Sequence, residues 1–421
     1  MSNELSLTDE AADVRVASFA EFQVLAALRR MTAGCLRLEL PCGGVEQIGE
    51  SGAEISASIL IRNFEFFRKV MLYGDIGFGE SYVDGDWDTP SIERVISWAI
   101  LNVEQTPTMS GSKMKSGMLG LLKAANRLRH LIRPNSVKTA RRNIAEHYDL
   151  GNDFYKLWLD ETMTYSSALF SRHGMTLQEA QVEKYDALCR KLHLKAADHV
   201  LEIGTGWGGF ASHAVRHYGC RVTTVTISAA QCAYAKELFA REGIAGRVDV
   251  RLQDYRDITG RFDKIASIEM MEALGDAYLE TYCATLHRLL TPQGIAGVQY
   301  ITCPDSRHAA MKKGVDWIQK YIFPGSLLLG IGRVNEALRK TGDLSLHRLD
   351  DMGPDYARTL NEWWKRFNEK REEVLAQGFS EAFIRKWNYY LQYCEAAFAM
   401  RNISVVQAVY TRPNNRSLPW A

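Results

Sequence analysis

The chain has 421 residues, enough for two domains that each bury a core. Lys plus Arg at 51 against Asp plus Glu at 50 leave a formal net charge of +1, which excludes a global electrostatic case for nucleic acid. Eight cysteines at 35, 42, 189, 220, 232, 283, 303 and 394 form no C-x-x-C pair, so neither a zinc site nor a disulfide framework is expected. They read as small buried apolar residues in a reducing compartment.

Met1 to Ala12 is acidic and polar, without the basic start and apolar core of a signal peptide. No apolar run approaches the ~18 to 20 residues of a membrane-spanning helix. The expectation is a cytoplasmic protein, soluble or peripheral to a membrane. Ala17 to Met31 reads as a helix, and Leu36 to Leu40 and Ala57 to Ile61 as strands. Phe64 to Trp87 mixes aromatics with glycines, which suits either a small core or a lipid-contacting surface.

Gln105 to Ala145 carries Lys113, Lys115, Lys123, Arg127, Arg129, Arg133, Lys138, Arg141 and Arg142 without one acid. Met114, Met118, Leu119, Leu121, Leu122, Leu128, Leu131 and Ile132 give it helical apolar spacing. This pattern suits an anionic membrane surface or a solvated linker. Nucleic acid is disfavoured because no aromatic residue interleaves with the charges. The division read from the chain is 1–104 as an N-terminal lipid-facing unit, 105–145 as a basic linker and 146–421 as a catalytic domain. From Glu146, "EHYDLGNDFYKLWLDETMTYSSALF" is dense enough in rings to form one wall of a site.

A helix over Leu177 to Leu192 leads into His199-Val-Leu-Glu-Ile-Gly-Thr-Gly-Trp-Gly-Gly-Phe210. Val200 to Glu202 reads as a buried parallel strand, after which Gly204, Gly206, Gly208 and Gly209 let the backbone turn beneath a ligand. Dinucleotide-binding enzymes use a similar turn, but the G-x-G-x-G spacing and the acid Glu202 inside the strand fit an S-adenosylmethionine (SAM) methyltransferase better. Strands and helices then alternate through Arg221–Thr226, Ser228–Glu242, Asp249–Gln253, Phe262–Ile268, Asp276–Leu290 and Ile295–Thr302, which means βαβ units. A helical insert follows Pro304, then helices near 355–376 and 380–400, and Ile403 to Thr411 ends the sheet as an antiparallel edge strand. The fold class is α/β, a seven-stranded Rossmann-like methyltransferase sheet with a helical insert, beside a smaller α+β domain.

Thr226, Ser228 and Gln231 at the end of the second strand face the ribose and methionine of such a cofactor. Asp254 and Tyr255 at the end of the third offer a carboxylate and a ring to an adenine. Ser228 and Asp254 equally suit a helix cap and a turn. Glu269 and Glu272 put two carboxylates at the mouth of the site after the fourth strand. No Ser-His-Asp or Cys-His arrangement is legible, so covalent catalysis has little support.

The segments "HYDLGNDFYKLWLD", "TYSSALF", "VLEIGTGWGGFA", "VTIS", "LQDYRD", "KYIFPG" and "YYLQYCEAAFAMRNI" together resemble the cyclopropane fatty acid synthase family, over about residues 140 to 412. The resemblance implies methyl transfer from SAM to an alkene of an unsaturated phospholipid acyl chain, through a carbocation that loses a proton and closes a cyclopropane. Tyr165 and Ser166 join Glu202, Gly204, Gly206, Thr226, Ser228, Gln231, Asp254 and Tyr255 as expected cofactor contacts. Tyr148, Tyr165, Tyr255 and Tyr321 are candidates to stabilise cations through their rings. The expected partners are acyl chains, an anionic membrane surface at its inner face and a second copy of the chain as a homodimer.

The resemblance further implies bicarbonate as the base, held by a cysteine, a glutamate, a histidine, a tyrosine and an isoleucine backbone. Glu272, Tyr356 and Ile301 match, but Ser167 stands for the cysteine, Gln299 for the histidine, and Ala273 where another histidine is usual. Neither serine nor glutamine titrates near neutrality, which weakens the expectation of bicarbonate. Loss of the proton without ring closure gives a methylene-branched chain instead, the precursor of a methyl branch. The rival functions are a silent lipid-binding homologue and a methyltransferase of small metabolites.

Overall fold

Alternation in Cys-Leu-Arg-Leu-Glu puts Leu36 and Leu38 on one buried face, with Cys35 buried on the other, in β1 (Cys35–Glu39), an inner strand of a small sheet in the computed structural model, which describes residues 19–103 and 150–418. β2 (Val45–Gly49) pairs antiparallel to β1, β3 (Ser56–Ile61) pairs parallel to it, and β4 (Trp87–Asp88) follows β3, giving the order β2-β1-β3-β4. The aromatic and glycine run forms helices Glu65–Tyr73 and Asp75–Val83. Most of its rings are core: Phe66, Phe67 and Trp87 are buried, with Phe66 edge-on to Phe67 at 5.2 Å. Phe64 and Tyr73 stay exposed.

This first unit also takes in Ala309–Ile322 and Gly378–Asn402. Gln392 Oε1 accepts the Ile92 N–H at 2.9 Å, satisfying a donor at the start of helix Ile92–Leu101. Trp317 packs edge-on to Tyr389 at 4.6 Å, a contact that needs the bare backbone of Gly79, where a Cβ would stand 2.5 Å from the indole. Helix Glu381–Ala399, which the linear division assigns to the catalytic domain, therefore folds with the N-terminal strands. The linker 105–145 lies outside the described residues.

Among the described residues the second unit holds seven strands: β5 (His199–Ile203), β6 (Arg221–Thr226), β7 (Val248–Leu252), β8 (Phe262–Ile268), β9 (Leu290–Thr302), β10 (Ser345–Asp351) and β11 (Ser404–Thr411). Their order is β10-β11-β9-β8-β5-β6-β7. β5 to β9 run parallel, and β11 is antiparallel to both neighbours. The expected sheet is present with one correction: the C-terminal strand is antiparallel but interior. β10 forms the edge, and its polar Ser-Leu-His-Arg-Leu-Asp-Asp, mostly exposed, hides it from a search for apolar runs. The eight cysteines form no disulfide; six are buried, Cys394 is half-buried and Cys42 is exposed, unlike the buried expectation.

β5 lies inside this sheet between β8 and β6, with Val200, Leu201 and Ile203 buried. Its chain then turns through Gly204, Gly206 and Gly208 at φ 102, 52 and 95°, and helix Gly209–Tyr218 begins. An added Cβ at Gly208 would lie 2.8 Å from the Phe239 ring. Gly208→Ala combines that clash with a left-handed backbone. It is expected to cost ~1 to 3 kcal/mol, read as a melting temperature several degrees lower in thermal denaturation; an unchanged transition would contradict the turn as described.

Candidate functional site

In a parallel sheet the carboxyl ends of the strands open on one crevice, and here β5, β8 and β9 bring the glycine turn, Glu269 and Gln299 to that end. Glu269 follows β8 at φ 49°, a left-handed conformation costing a non-glycine residue ~1 to 2 kcal/mol. Its backbone N–H donates to the Gln299 carbonyl at 2.7 Å. Its carboxylate gathers three donors. Oε1 accepts the Ser167 N–H and Gln299 Nε2, each at 2.8 Å, and Oε2 accepts the Tyr356 hydroxyl at 2.8 Å.

Each donor is held in turn. A carboxylate only accepts, so Gln299 must present its amide nitrogen to it, and Gln299 Oε1 correspondingly accepts Gln407 Nε2 at 3.0 Å. Gln407 Oε1 accepts Lys191 Nζ at 2.6 Å. Helix Gly353–Glu369 repeats every three or four residues on one face: Tyr356 reaches Glu269, Thr359 accepts the Ala168 N–H at 3.0 Å, and Trp363 packs on Tyr165 with ring centroids 5.3 Å apart. Asp355 adds a bond to the Phe170 N–H at 2.7 Å, fixing the segment 165–170 along this helix.

Glu272, one turn further on, is 8 % exposed. Its Oε1 accepts the Ile301 N–H in a short bond, while Oε2 is buried without a partner among the described residues. Burial first, and the Glu269 charge second, push its pKa up to about 8. Burial also raises Glu269, against the Ser167 N–H, the Lys184 charge, Gln299 and Tyr356. Lys184 is buried, donates to Ser166 Oγ at 2.7 Å, and is lowered to about 7 by that burial. Burial raises both carboxyls; at Glu269 three donors and Lys184 oppose the rise, whereas Glu272 has only backbone donors against it and stays neutral at pH 7.

The residues expected around one anion thus divide. Ser167, Gln299 and Tyr356 converge on Glu269, and Ile301 on Glu272. Ser167 contributes its backbone N–H; its hydroxyl donates to the Ala168 carbonyl at 2.9 Å. Bicarbonate does not fit this set, since the Glu269 carboxylate already takes its donors. Sequence reasoning noted Glu269 but favoured Glu272, and it missed Gln407, Thr359, Trp363 and Lys184, whose partners are far away in the chain.

On the cofactor side Glu202 is buried, accepts Thr224 Oγ1 at 2.5 Å, and is raised to about 8 by burial. Thr226 Oγ1 donates to Gln231 Oε1 at 3.0 Å and accepts the Ser228 N–H at 3.1 Å. Ser228 caps helix Ala229–Arg241, the alternative open in the sequence. Asp254 is engaged twice by Arg256, both at 2.8 Å, while the buried Tyr255 hydroxyl has no partner among the described residues. The ring wall is present: Tyr165 lies 5.4 Å from both Tyr155 and Trp158, and Tyr155 lies 5.2 Å from Trp207. Tyr321 belongs to the first unit and gives its hydroxyl to Glu80; Tyr148 is outside the described residues. The space beside Gly206 is open, with nothing within 4 Å of where a Cβ would stand, so the turn fits a bound cofactor.

A family described as mycolic acid cyclopropane synthetase matches residues 135–408. The chain is 35 % identical over 387 residues to tuberculostearic acid methyltransferase UfaA1 of Mycobacterium tuberculosis, covering 90 % of this chain and 89 % of that protein. It is 34 % identical over 372 residues to cyclopropane-fatty-acyl-phospholipid synthase of Escherichia coli, covering 87 % and 92 %. The crystal structure of mycolic acid cyclopropane synthase CmaA1 complexed with SAH and CTAB superposes with a TM-score of 0.60 at 30 % identity, over 65 % of this chain and 98 % of that one.

The neutral Glu272 sets a pH dependence. Its pKa rises from 4.5 to about 8 on folding, so the native state binds the extra proton between those values and its stabilising effect is lost as pH rises toward 8. Relative to Glu272→Gln, the wild-type protein is expected to lose roughly 1.4 kcal/mol per pH unit across that window. Denaturant unfolding of both proteins between pH 5 and 9 checks it, and parallel stability curves would rule it out.

Proposed function

Because the chain belongs to the mycolic acid cyclopropane synthetase family and is a SAM-dependent methyltransferase, we propose that it transfers the methyl group of SAM to the double bond of unsaturated phospholipid acyl chains and closes a cyclopropane ring through a carbocation. The observation that carries this reading is the junction of an aromatic wall with a held carboxylate. The Tyr356 ring lies 6.1 Å from Trp363, within the cluster of Tyr155, Trp158 and Tyr165, and its hydroxyl ends on Glu269.

When bound, SAM supplies an electrophilic methyl group on a sulfonium. The chain's part is to hold it over the turn Gly204–Gly208, with Tyr165, Ser166, Glu202, Thr226, Ser228, Gln231, Asp254 and Tyr255 around it. An isolated alkene needs no activated nucleophile, so the remaining work is positioning, exclusion of water and stabilisation of transient positive charge. Faces of Tyr and Trp rings do the last through their quadrupoles. Ser167, Gln299, Tyr356, Glu272 and Ile301 then set where a proton is taken. The basic stretch 105–145 brings the protein to an anionic membrane surface.

A second product, a methylene- or methyl-branched chain, is favoured by the departures at Ser167 and Gln299 and by a 35 % identical relative named as a methyltransferase. Base placement decides which bond forms. Incubation with SAM and monounsaturated phospholipid vesicles is expected to add one CH2 to the released fatty esters, with upfield ring protons in the NMR spectrum for the cyclopropane or vinylic methylene protons for the branch. No mass gain would reject the reading. Sedimentation with anionic liposomes should fall as salt rises, and salt-independent binding would remove the basic stretch from the account.

A further inference from the structure

The resemblance asks for a free anion as base, and the second unit does not provide for one. The donors that such an anion would take, at Ser167, Gln299 and Tyr356, already meet the Glu269 carboxylate at 2.8 Å each. Resting on the proposed acyl methylation, we infer that Glu269 is the base of the reaction, a carboxylate carried by the chain itself and independent of bicarbonate.

Three observations support this. Glu269 as a residue is half-buried, whereas Ser167 and Gln299 are fully buried. Its Oε2 accepts one bond among the described residues, from Tyr356, and a carboxylate oxygen has a second lone pair for a proton. Its left-handed backbone costs energy unless the surroundings enforce it, and strain of this kind accumulates where a side chain must be aimed. Glu272 is the poorer candidate: it is neutral at pH 7 and spends one oxygen on the Ile301 N–H.

The step is one proton transfer. A C–H bond of the transferred methyl breaks, an O–H bond forms on Glu269, and the released electron pair closes the ring on the cationic carbon. The acyl chain returns to neutrality, and the proton leaves Glu269 for solvent between turnovers. No oxidant or reductant is involved. Gln407 is a positioning residue in this arrangement, since it fixes which end of Gln299 faces Glu269.

The test uses the full chain with SAM and monounsaturated phospholipid vesicles, in buffer stripped of carbon dioxide and again with added bicarbonate. Wild-type turnover is expected to be equal in both. Glu269→Gln is expected to lose ~10²- to 10⁴-fold in kcat, with SAM affinity by calorimetry within threefold of wild type. Glu269→Gly, which suits the backbone and opens a cavity, should regain turnover when formate or bicarbonate is added. Full activity of Glu269→Gln, wild-type dependence on bicarbonate, or a Glu269→Gly variant that binds SAM but ignores formate and bicarbonate would overturn the inference. Absence of product from the wild-type protein under every condition would instead reject the acyl-methylation reading, and this inference with it.

Discussion

One carboxylate ties together four separated parts of the second unit. Glu269 follows β8, yet its donors come from residue 167 before the sheet, from residue 299 on β9, and from residue 356 on a helix after the sheet is nearly complete. Hydrogen bonds to a charged group are worth ~1.5 to 3 kcal/mol each. Three of them offset the ~1 to 2 kcal/mol of a left-handed backbone and part of the cost of burial.

The sheet makes this convergence possible. Parallel strands β5, β8 and β9 end on one side, so a glycine turn, a carboxylate and an amide meet without any close spacing in the chain. The antiparallel β11 contributes by register: Gln407 stands directly opposite Gln299, and their side chains meet. A helix with Tyr356, Thr359 and Trp363 on one face then lines the site with a hydroxyl and rings at helical spacing.

The two glutamates illustrate how environment separates identical groups. Glu272 has one backbone donor and an unpartnered buried oxygen, so desolvation dominates and the proton stays on. Glu269 is also raised by burial, but three donors and Lys184 oppose the rise. The acyl methylation proposed above would gain from one carboxylate at a fixed place, and a second charge beside it would repel the first.

Six strands of the sheet, the glycine turn and the aromatic segment were legible in the sequence because each rests on local pattern: apolar strand runs, left-handed turns that need glycine, and rings set closely along the chain. β10 was not, because an edge strand with polar residues looks like a loop. Nor was the membership of helix Glu381–Ala399 in the first unit, since an apolar helical face does not say which surface it covers. The site divides in the same way. The residue types around the anion could be read from resemblance, including the departures Ser167 and Gln299, but which atoms face which charge could not. That Ser167 acts through its N–H, that Gln299 is aimed by Gln407 and that Glu269 takes the donors are consequences of backbone direction and strand register, which only the folded chain decides.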